Sequence, residues 1–415
     1  MCKENIRLKK KLENKNRRQS MSIKVYEFKL TKLSLSDKKY LDKIFLETKW
    51  YYNYILSQED ILNFDTKIKN IIKKDKEGND IEVEVSLSAK IRQSIKFRIR
   101  DAIKGLSVKK KKGRQDEVGK LKFKSKINSV ELNQYKSKNS TAGTHKYNFT
   151  NNTITFNKHT FKLLGLKQIK ENVEFANAFL IRKADGYYIH QTCYCLPEKL
   201  EEREESVGTD FGVKDNITLS NGEKFNSKIE EPLRLKNLQR KLCRQVKGSK
   251  NYYKTKNKID REYLKNNNKK NDSANKIFSY LNHNFKKIVI QDENLKGWHS
   301  GLFGKQVQCS ILGRLKSKLI SLKKTIVVDK FFPSTKQCYV CGHKNNIELS
   351  ERIFKCQHCG FEEDRDVKAA KTILFEGLRL KNSSSCGTQD NKCGENVSLL
   401  EMTKCLVQEA IFCEA

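Results

Sequence analysis

Four cysteines form the clearest chemical pattern in the sequence. Cys338 and Cys341 are separated by two residues, Cys356 and Cys359 are spaced in the same way, and 14 residues lie between the two pairs. Four thiolates at this spacing suit a tetrahedral Zn²⁺ ion without an open coordination position. We therefore predict a structural zinc site, with the glycine after each pair giving a tight turn.

Acidic residues on one predicted strand and at the end of another form the second pattern. Asp210 lies on a short strand predicted over Val207–Lys214, and Asp292 and Glu293 follow the continuous apolar segment Ile288–Ile290, which is typical of the middle of a sheet. A buried carboxylate needs a cation or hydrogen bonds. The alternatives are that Asp210 caps a turn and that Asp292 and Glu293 are ordinary surface acids.

A third acid stands at the start of a helix that the apolar residues of 369–374 predict. Asp364 and Asp366 are both candidates, and capping of the helix is the alternative role for either. A strand Asp, a strand-end Glu and a helix-start Asp can meet at one edge of a sheet, where they would hold two Mg²⁺ ions roughly 3.5–4 Å apart. This set indicates phosphodiester hydrolysis on a ribonuclease-H-like fold.

The charge of the chain favours an anionic partner. Its 415 residues include 85 Lys and Arg against 49 Asp and Glu, a net charge of +36. Nucleic acid is the expected partner, although a lysine-rich proteome would also raise this number. No apolar run is long enough to cross a membrane and no signal peptide is evident, so we expect a cytoplasmic protein.

Cationic residues concentrate in three stretches. One lies around residues 109–114, one alternates with apolar residues over 121–126 and predicts a strand with a basic face, and residues 234–270 hold 14 Lys or Arg against two acids in a predicted helical region. The candidate nucleic-acid-binding residues are Lys109, Lys110, Lys111, Lys112, Arg114, Lys122, Lys124, Lys126, Arg240, Lys241, Arg244, Lys247 and Lys250.

The first half of the chain combines strands with an inserted helical segment. Residues 23–30 alternate as a strand, 36–56 and 87–103 show helical periodicity, and short strands are predicted at 152–156, 175–183 and 187–195. Many short strands at this spacing predict a small barrel or sandwich. Met21 is a second possible start, which would make residues 1–20 a basic extension.

The order of these segments resembles the TnpB family of transposon-encoded RNA-guided nucleases, which are ancestral to miniature type V CRISPR effectors. The resemblance covers about residues 22–380 and rests on GTDFGVKD, IVIQDENLKGW, GKQVQCSILGRLKSKL, DKFFPSTKQC, ERIFKC and DRDVKAAKTIL. It implies α/β and β-barrel folds: a RuvC-like nuclease domain with a zinc-ribbon insertion, and an N-terminal wedge-type β-barrel with an inserted helical recognition lobe.

The resemblance also assigns the acids. It implies that Asp210 and Asp366 are the first and third catalytic residues and magnesium ligands. Gln291 occupies the place where many relatives have the second acid, so we assign that role to Glu293, with Asp292 as the other candidate. Lys368 replaces an asparagine of the family motif and is expected to add charge near the metals.

The expected domain boundaries follow from the same comparison. They are 1–20 for the extension, 21–34 with 105–200 for the barrel, 35–104 for the helical lobe, 201–332 with 364–380 for the nuclease domain, 333–363 for the ribbon and 381–415 for a disordered tail.

The implied function is guided cleavage of DNA. A guide RNA would bind the protein, which would recognise a short motif beside its target, and one Mg²⁺ site would cut both strands. The expected form is a monomer on its RNA, with a homodimer possible, in a prokaryotic cytoplasm near the nucleoid. A cleavage-inactive guided repressor and a miniature type V CRISPR effector are the alternatives.

Overall fold

A computed structural model describes residues 13–14, 16–75, 77–111, 119–132, 145–169, 173–196, 205–348 and 351–385. The chain divides into two compact units, residues 1–199 and 200–415. Among the described helices, none is both long enough and apolar enough to cross a membrane.

The first unit contains a curved sheet, two long helices and a hairpin. Its elements are β1 (Ser22–Thr31), α1 (Leu35–Ser57), β2 (Asn70–Lys74), β3 (Asp80–Glu84), α2 (Ala89–Lys111), β4 (Ser129–Leu132), β5 (His145–Asn148), β6 (Thr153–Phe156), β7 (His159–Leu164), a 3₁₀ turn (Leu166–Gln168), β8 (Glu174–Lys183) and β9 (Gly186–Cys195). Seven strands pair antiparallel in the order β4-β8-β9-β1-β7-β6-β5.

The sheet curls until its edge strand meets strands from the other side. On β5, the His145 Nε2 and Tyr147 hydroxyl lie 3.1 and 2.9 Å from the Gln191 Oε1 of β9, although β6, β7 and β1 separate the two strands in the sheet. Tyr147 also packs edge-on against Phe28 of β1. The sheet is thus nearly a closed barrel, as the short strands predicted.

Helix α1 forms where the periodicity predicted it. Ser34 and Asp37 make a reciprocal capping box at its start. Tyr51 and Tyr52 are buried, in agreement with the predicted core role. The helical segment extends further than residues 35–104, because α2 continues to Lys111. The first part of the predicted basic run is therefore helical.

One local prediction for this unit was wrong. Residues 121–126 alternate like a strand but form none; Asn53 of α1 holds them through two hydrogen bonds to the backbone of Lys124, at 2.9 and 3.0 Å. At the end of the basic extension, Arg17 and Arg18 both pair with Glu174 of β8. Residues 1–12 of that extension lie outside the described residues.

The second unit is built on a five-stranded mixed sheet. Its elements are β10 (Ser206–Asp210), β11 (Ile217–Leu219), β12 (Lys224–Phe225), α3 (Leu233–Cys243), α4 (Lys250–Asn284), β13 (Lys287–Gln291), α5 (Leu295–Ser300), α6 (Gly304–Cys309), α7 (Leu312–Ile320), β14 (Thr325–Val328), β15 (Ile353–Lys355), β16 (Glu362–Asp364) and α8 (Arg365–Ser385). The strand order is β12-β11-β10-β13-β14, and β13 is parallel to both of its neighbours.

Helices cover both faces of this sheet. On β13, Ile288 and Ile290 belong to the same core as Leu281 of α4 and Leu315 of α7, whereas Val289 packs with Ile373 of α8. Successive strand residues face opposite sides, so a continuous apolar strand needs cover on both. The α/β prediction for this part of the chain is therefore confirmed.

A small second core lies in the segment between β14 and α8. Phe354 is buried there with Cys338 and Cys356, and β15 pairs with β16. The predicted tail begins inside α8, which continues to Ser385, and residues 386–415 lie outside the described residues.

Candidate active site

The parallel pairing of β10 and β13 brings two of the predicted acids to one edge of the sheet. Thr209 is level with Ile290, so Asp210 ends its strand where Gln291 ends the neighbouring one. Glu293 follows two residues later, in the turn before α5 rather than on a strand face. Side chains at the carboxyl ends of parallel strands share one edge, where ligands bind in open α/β sheets.

The third acid arrives on α8. Asp364 caps this helix: its Oδ1 accepts hydrogen bonds from the backbone N–H groups of Asp366 and Val367, both at 3.1 Å, and its Oδ2 accepts one from Lys224 at 2.8 Å. Asp364 is therefore the capping residue. The carboxylate of Asp366 remains in the first turn, where Arg365 lies 3.3 Å away and Arg352 3.9 Å away.

Two glycines allow α8 to approach the sheet closely. A Cβ on Gly208 would overlap the carbonyl oxygen of Ala370, and one on Gly377 would overlap the side chain of Val289. Any larger residue would push the helix away from β10 and β13. This close packing positions the beginning of α8 beside Asp210.

The three acids influence one another electrostatically. Burial, followed by the neighbouring charges of Asp366 and Glu293, raises the pKa of Asp210 to about 8, while Arg365 and Lys368 act in the opposite direction. Burial also raises the pKa of Glu293. Ionising all three carboxylates is therefore costly in the protein alone, and a bound divalent cation would remove that cost.

The structure distinguishes between Asp292 and Glu293. Asp292 is half exposed, with its carboxylate 2.7 Å from the Nζ of Lys316. That ammonium also donates to the backbone carbonyl of Glu293, at 2.6 Å. Glu293 is among the charges that raise the pKa of Asp210. The geometry favours Glu293 as the partner of Asp210.

The three carboxylates do not form a preassembled metal-binding site. In the part of the chain that the structure describes, the one group of His, Cys, Asp or Glu whose ligand atoms all lie within 4.8 Å of one another is the cysteine cluster. Asp366 is held by two arginines in this arrangement. The three acids are thus neighbours whose side chains would have to converge on an ion.

The four cysteines fit a tetrahedral metal site. The Sγ atoms of Cys338 and Cys359 lie 3.8 Å apart, and those of Cys341 and Cys356 lie 3.5 Å apart. Thiolates about 2.3 Å from a central Zn²⁺ would be separated by roughly 3.8 Å. The glycines that follow each pair, Gly342 and Gly360, have φ values of 76° and 71°, as the predicted tight turns require.

The ionisation of these thiols also indicates a cation. Burial raises the pKa of Cys338 and of Cys341. Burial opposes ionisation of Cys356 as well, but hydrogen bonds from the backbone N–H groups of Cys359 and His358 lower its pKa to about 6. The protein alone does not stabilise four thiolates, and a bound Zn²⁺ would.

The predicted nucleic-acid contacts fall into three groups. Lys109, Lys110 and Lys111 end α2, whereas Lys112 and Arg114 lie outside the described residues. Lys122 and Lys126 are exposed, but Lys124 lies over the ring of Tyr52, with its Nζ 4.5 Å from the ring centre. The remaining five are exposed around the turn between α3 and α4: Arg240, Lys241, Arg244, Lys247 and Lys250.

Sequence reasoning missed the roles of two buried polar residues. The Nε2 of Gln291 donates to the carbonyl of Phe332 at 2.7 Å, and its Oε1 accepts a hydrogen bond from Ser334 at 2.8 Å. Lys368 is fully buried, and its ammonium donates to a backbone carbonyl before the first cysteine of the ribbon, while its charge acts to lower the pKa of Asp210. The expectation that it adds charge near the metals stays a prediction; its position beside Ala369 and Ala370 was the available signal of burial.

Comparisons with known proteins match both parts of this site. Residues 188–299 match a family model described as a probable transposase, OrfB of IS605, and residues 311–373 match the Cas12f1-like TNB domain. A protein of Streptomyces pristinaespiralis is 32% identical over 192 residues, and InsQ of Escherichia coli (strain K12) is 31% identical over 196 residues. Both names contain the words RNA-guided DNA endonuclease.

These matches agree with the resemblance to the TnpB family that the sequence motifs indicated. The two alignments cover 44% and 41% of the chain and 47% and 48% of the relatives, so the chain spans about half the length of the curated relatives it matches. A cryo-EM structure of a Cas12f1–sgRNA–target DNA complex aligns over 85% of this chain and 99% of that one, at 11% identity and a TM-score of 0.38. The mini-RNA-guided endonuclease CRISPR-Cas_phi3 aligns over 66% and 64%, at 12% identity and a TM-score of 0.30.

Proposed function

We propose that this chain is an RNA-guided DNA endonuclease that hydrolyses phosphodiester bonds at the edge of its five-stranded sheet. The observation that carries the proposal is that half-buried Asp210 ends β10 at the sheet edge where β13 also ends, with the charges of Glu293 and Asp366 near enough to raise its pKa. A cation would remove that cost of ionising Asp210. The names of the two curated relatives support the same activity.

The fold assignment is part of the proposal. We assign the mixed sheet with α8 to a RuvC-like, ribonuclease-H-like nuclease domain and the four-cysteine segment to a zinc ribbon inserted before its last helix. The curled antiparallel sheet would be the wedge-type barrel, and α1 and α2 with the β2–β3 hairpin the helical recognition lobe. The element order within each unit, strand–helix–strand in the first and sheet–ribbon–helix in the second, supports this assignment.

Asp210, Glu293 and Asp366 would hold two Mg²⁺ ions, since carboxylate oxygens are ligands that Mg²⁺ prefers. Bound there, the ions would supply an activated water and stabilise charge on the leaving oxygen. The protein's own contribution is positioning. Asp364 and Lys224 fix the first turn of α8, and Lys316 holds the backbone of Glu293.

The cationic surfaces would bind the nucleic acids. We expect the five exposed residues around the α3–α4 turn, and the lysines of the basic run at the end of α2, to neutralise phosphates of a guide RNA and its double-stranded and single-stranded DNA target. We expect the protein to act as a monomer on its RNA, in the cytoplasm near the nucleoid, with the guide supplying most of the sequence specificity.

The test begins with the RNA. The full-length protein is expressed with its native flanking DNA, the co-purified RNA is sequenced, and the complex is programmed against a plasmid library in Mg²⁺. We expect one discrete RNA species and cutting beside a fixed short motif. Asp210→Asn should bind the target but cut at least about a thousandfold more slowly, because charge stabilisation at the reacting phosphate is lost.

Two results would overturn the proposal: the absence of a discrete RNA, or cutting at the wild-type rate by Asp210→Asn. Target binding without cutting by the wild-type protein would instead identify the cleavage-inactive repressor. The source of the RNA, a transposon end or a CRISPR array, separates the TnpB-type nuclease from a miniature type V effector.

A further inference from the structure

Lys368 is the one lysine among the largest fully buried side chains of the described residues. Its Nζ donates hydrogen bonds to the backbone carbonyls of Ser334, Thr335 and Gln337, at 3.1, 2.5 and 3.0 Å. The ammonium also lies 3.8 Å from the ring centre of Phe354. Three carbonyls and an aromatic face replace the water that the charge would otherwise bind.

All of these partners lie in the four-cysteine segment or immediately before it. Gln337 is the residue before Cys338, and Phe354 shares a core with Cys338 and Cys356. Lys368 itself lies on α8, two residues after Asp366. One side chain therefore joins the four-cysteine segment to the helix that carries the third acid.

The same segment is held from the opposite side by the end of β13. The amide of Gln291 binds Phe332 and Ser334, and it stands two residues before Glu293. The stretch from Phe332 to Gln337 is thus fastened to both elements that bring acids to Asp210. Its own conformation depends on the cluster, because the backbone N–H of Cys338 donates to the carbonyl of His343, at 2.9 Å.

This arrangement makes the position of Asp366 depend on the conformation of the four-cysteine cluster. If the cluster opened, the three carbonyls would move and leave a buried ammonium without partners, which is strongly unfavourable. Lys368 would have to leave its position, and the first turns of α8 would move with it. The helix start is sensitive to such a shift, since Asp366 must lie within reach of Asp210.

We propose that Lys368 is a positioning residue through which the zinc ribbon sets the location of Asp366 relative to Asp210. The inference rests on the proposed function for its catalytic consequence but not for its structural one. The ammonium of Lys368 is hydrogen-bonded to backbone carbonyls and not to the acids at the sheet edge. Its charge also acts on Asp210 through space, and hydrogen exchange of α8 reports the positioning effect separately.

The matched pair of variants is Lys368→Met and Arg379→Met. Arg379 lies about three turns later on α8, is exposed and pairs with Glu376 of the same helix. Each variant removes one charge from the same helix. Hydrogen exchange of the α8 amides over residues 367–373 is followed in the full chain with zinc bound and after chelation, with bound zinc per chain measured in parallel.

In the wild type, chelation should accelerate exchange over residues 367–373 about tenfold, as expected for local opening of a helix end. Lys368→Met should show that acceleration with zinc still bound, and Arg379→Met should behave as the wild type does. Unchanged exchange after chelation of the wild type, or wild-type exchange in Lys368→Met, would overturn the proposal. If Lys368→Met does not fold, the chelation result and Lys368→Arg, which keeps donors and charge, still decide it.

The catalytic consequence is measured separately, as Mn²⁺ binding to the RNA-free protein and as programmed cleavage. Lys368→Met should weaken both about 10- to 100-fold, the range for residues that support a metal site from outside it, with partial recovery in Lys368→Arg. Altered exchange with unchanged Mn²⁺ affinity and cleavage would reject the positioning role. A wild type that neither binds Mn²⁺ nor cuts would instead count against the proposed function, and the exchange result would be unaffected.

Discussion

Gly208 in β10 lies so close to Ala370 in α8 that a methyl group on the glycine would overlap the carbonyl oxygen of that alanine. The helix and the strand are in contact through their backbones at this point, 162 positions apart in the sequence. Asp210 lies two residues after Gly208 in β10, and Asp366 lies four residues before Ala370 in α8. The contact between Gly208 and Ala370 therefore fixes the distance between the two acids.

Gly208→Ala is expected to damage both stability and the site. Overpacking of this kind costs about 1–3 kcal/mol in the free energy of unfolding, and relief by displacement of α8 would carry Asp366 away from Asp210. Urea denaturation and Mn²⁺ affinity measure the two effects. The control is Gly313→Ala in α7, where an added Cβ meets nothing within 4 Å and no loss is expected. Equal effects of the two changes would contradict the close-contact argument.

Glu293→Gln should abolish cutting, while Asp292→Asn should leave most of it. Glu293 contributes to the field at Asp210, whereas the carboxylate of Asp292 is half exposed and pairs with Lys316. Exposed ion pairs of that kind contribute about 0–1 kcal/mol. Both variants keep the size of the side chain, and single-turnover cleavage rates compare them. The opposite ranking would transfer the role of second acid to Asp292.

The first unit should lose stability in weak acid because of His145. Burial lowers the pKa of this histidine to about 4, although its hydrogen bond with Gln191 acts in the opposite direction. Above pH 6.5 the side chain is neutral in the folded and unfolded chains, so the stabilisation is complete. As the pH falls from 6.5 to 4, only the unfolded chain takes up the proton, and about 3 kcal/mol of stability is lost.

Denaturation at a series of pH values measures the slope of the free energy of unfolding against pH between 6.5 and 4. His145→Gln should remove most of this slope, whatever the variant does to stability at neutral pH. His159→Gln replaces an exposed histidine of the same unit and should leave the slope in place. A slope that survives in His145→Gln would show that other groups produce it.

Cys356→Ser should release the ribbon metal. Binding of Zn²⁺ to four thiolates contributes roughly 10–16 kcal/mol to folding such segments, so the variant should contain less than one zinc per chain and be cleaved by proteases between β14 and α8. Cys243→Ser changes an exposed free cysteine on α3 and should retain the zinc. Full zinc content in Cys356→Ser would exclude the four-cysteine site, and unchanged resistance to proteases would exclude its structural role.

The correct predictions from sequence share a physical basis: they depend on near neighbours. Cys338 and Cys341 are fixed by a short turn, and the apolar run Ile288–Ile290 reflects cover on both faces of one strand. The location of Asp210 and Glu293 required one further step, the parallel pairing of β10 and β13. Strands of this type end at a common edge, so the sequence predicts both acids there; their joint role stays a prediction.

The failures involve partners that are distant in sequence. The segment 121–126 alternates as a strand does, but a strand needs a neighbour, and Asn53 occupies the backbone of Lys124 instead. From sequence alone, Lys368 would be taken for a surface lysine. Its partners are backbone carbonyls at 334–337, and only the fold of the ribbon brings them to it. Gln291 reads as a missing acid, although its amide serves two roles that a carboxylate could not, donating to Phe332 and accepting from Ser334.

The position of α8 along the chain has a consequence for synthesis. A ribosome that has translated the first 360 residues has produced the curled sheet, the α3–α4 turn with its exposed cations and two of the three acids, but not the helix that completes the set. Domains fold as they emerge, N-terminal part first. Under the proposed function, a nascent or truncated chain would therefore carry candidate RNA-binding residues before it carried the complete set of acids, and cutting would wait until the polypeptide is nearly finished.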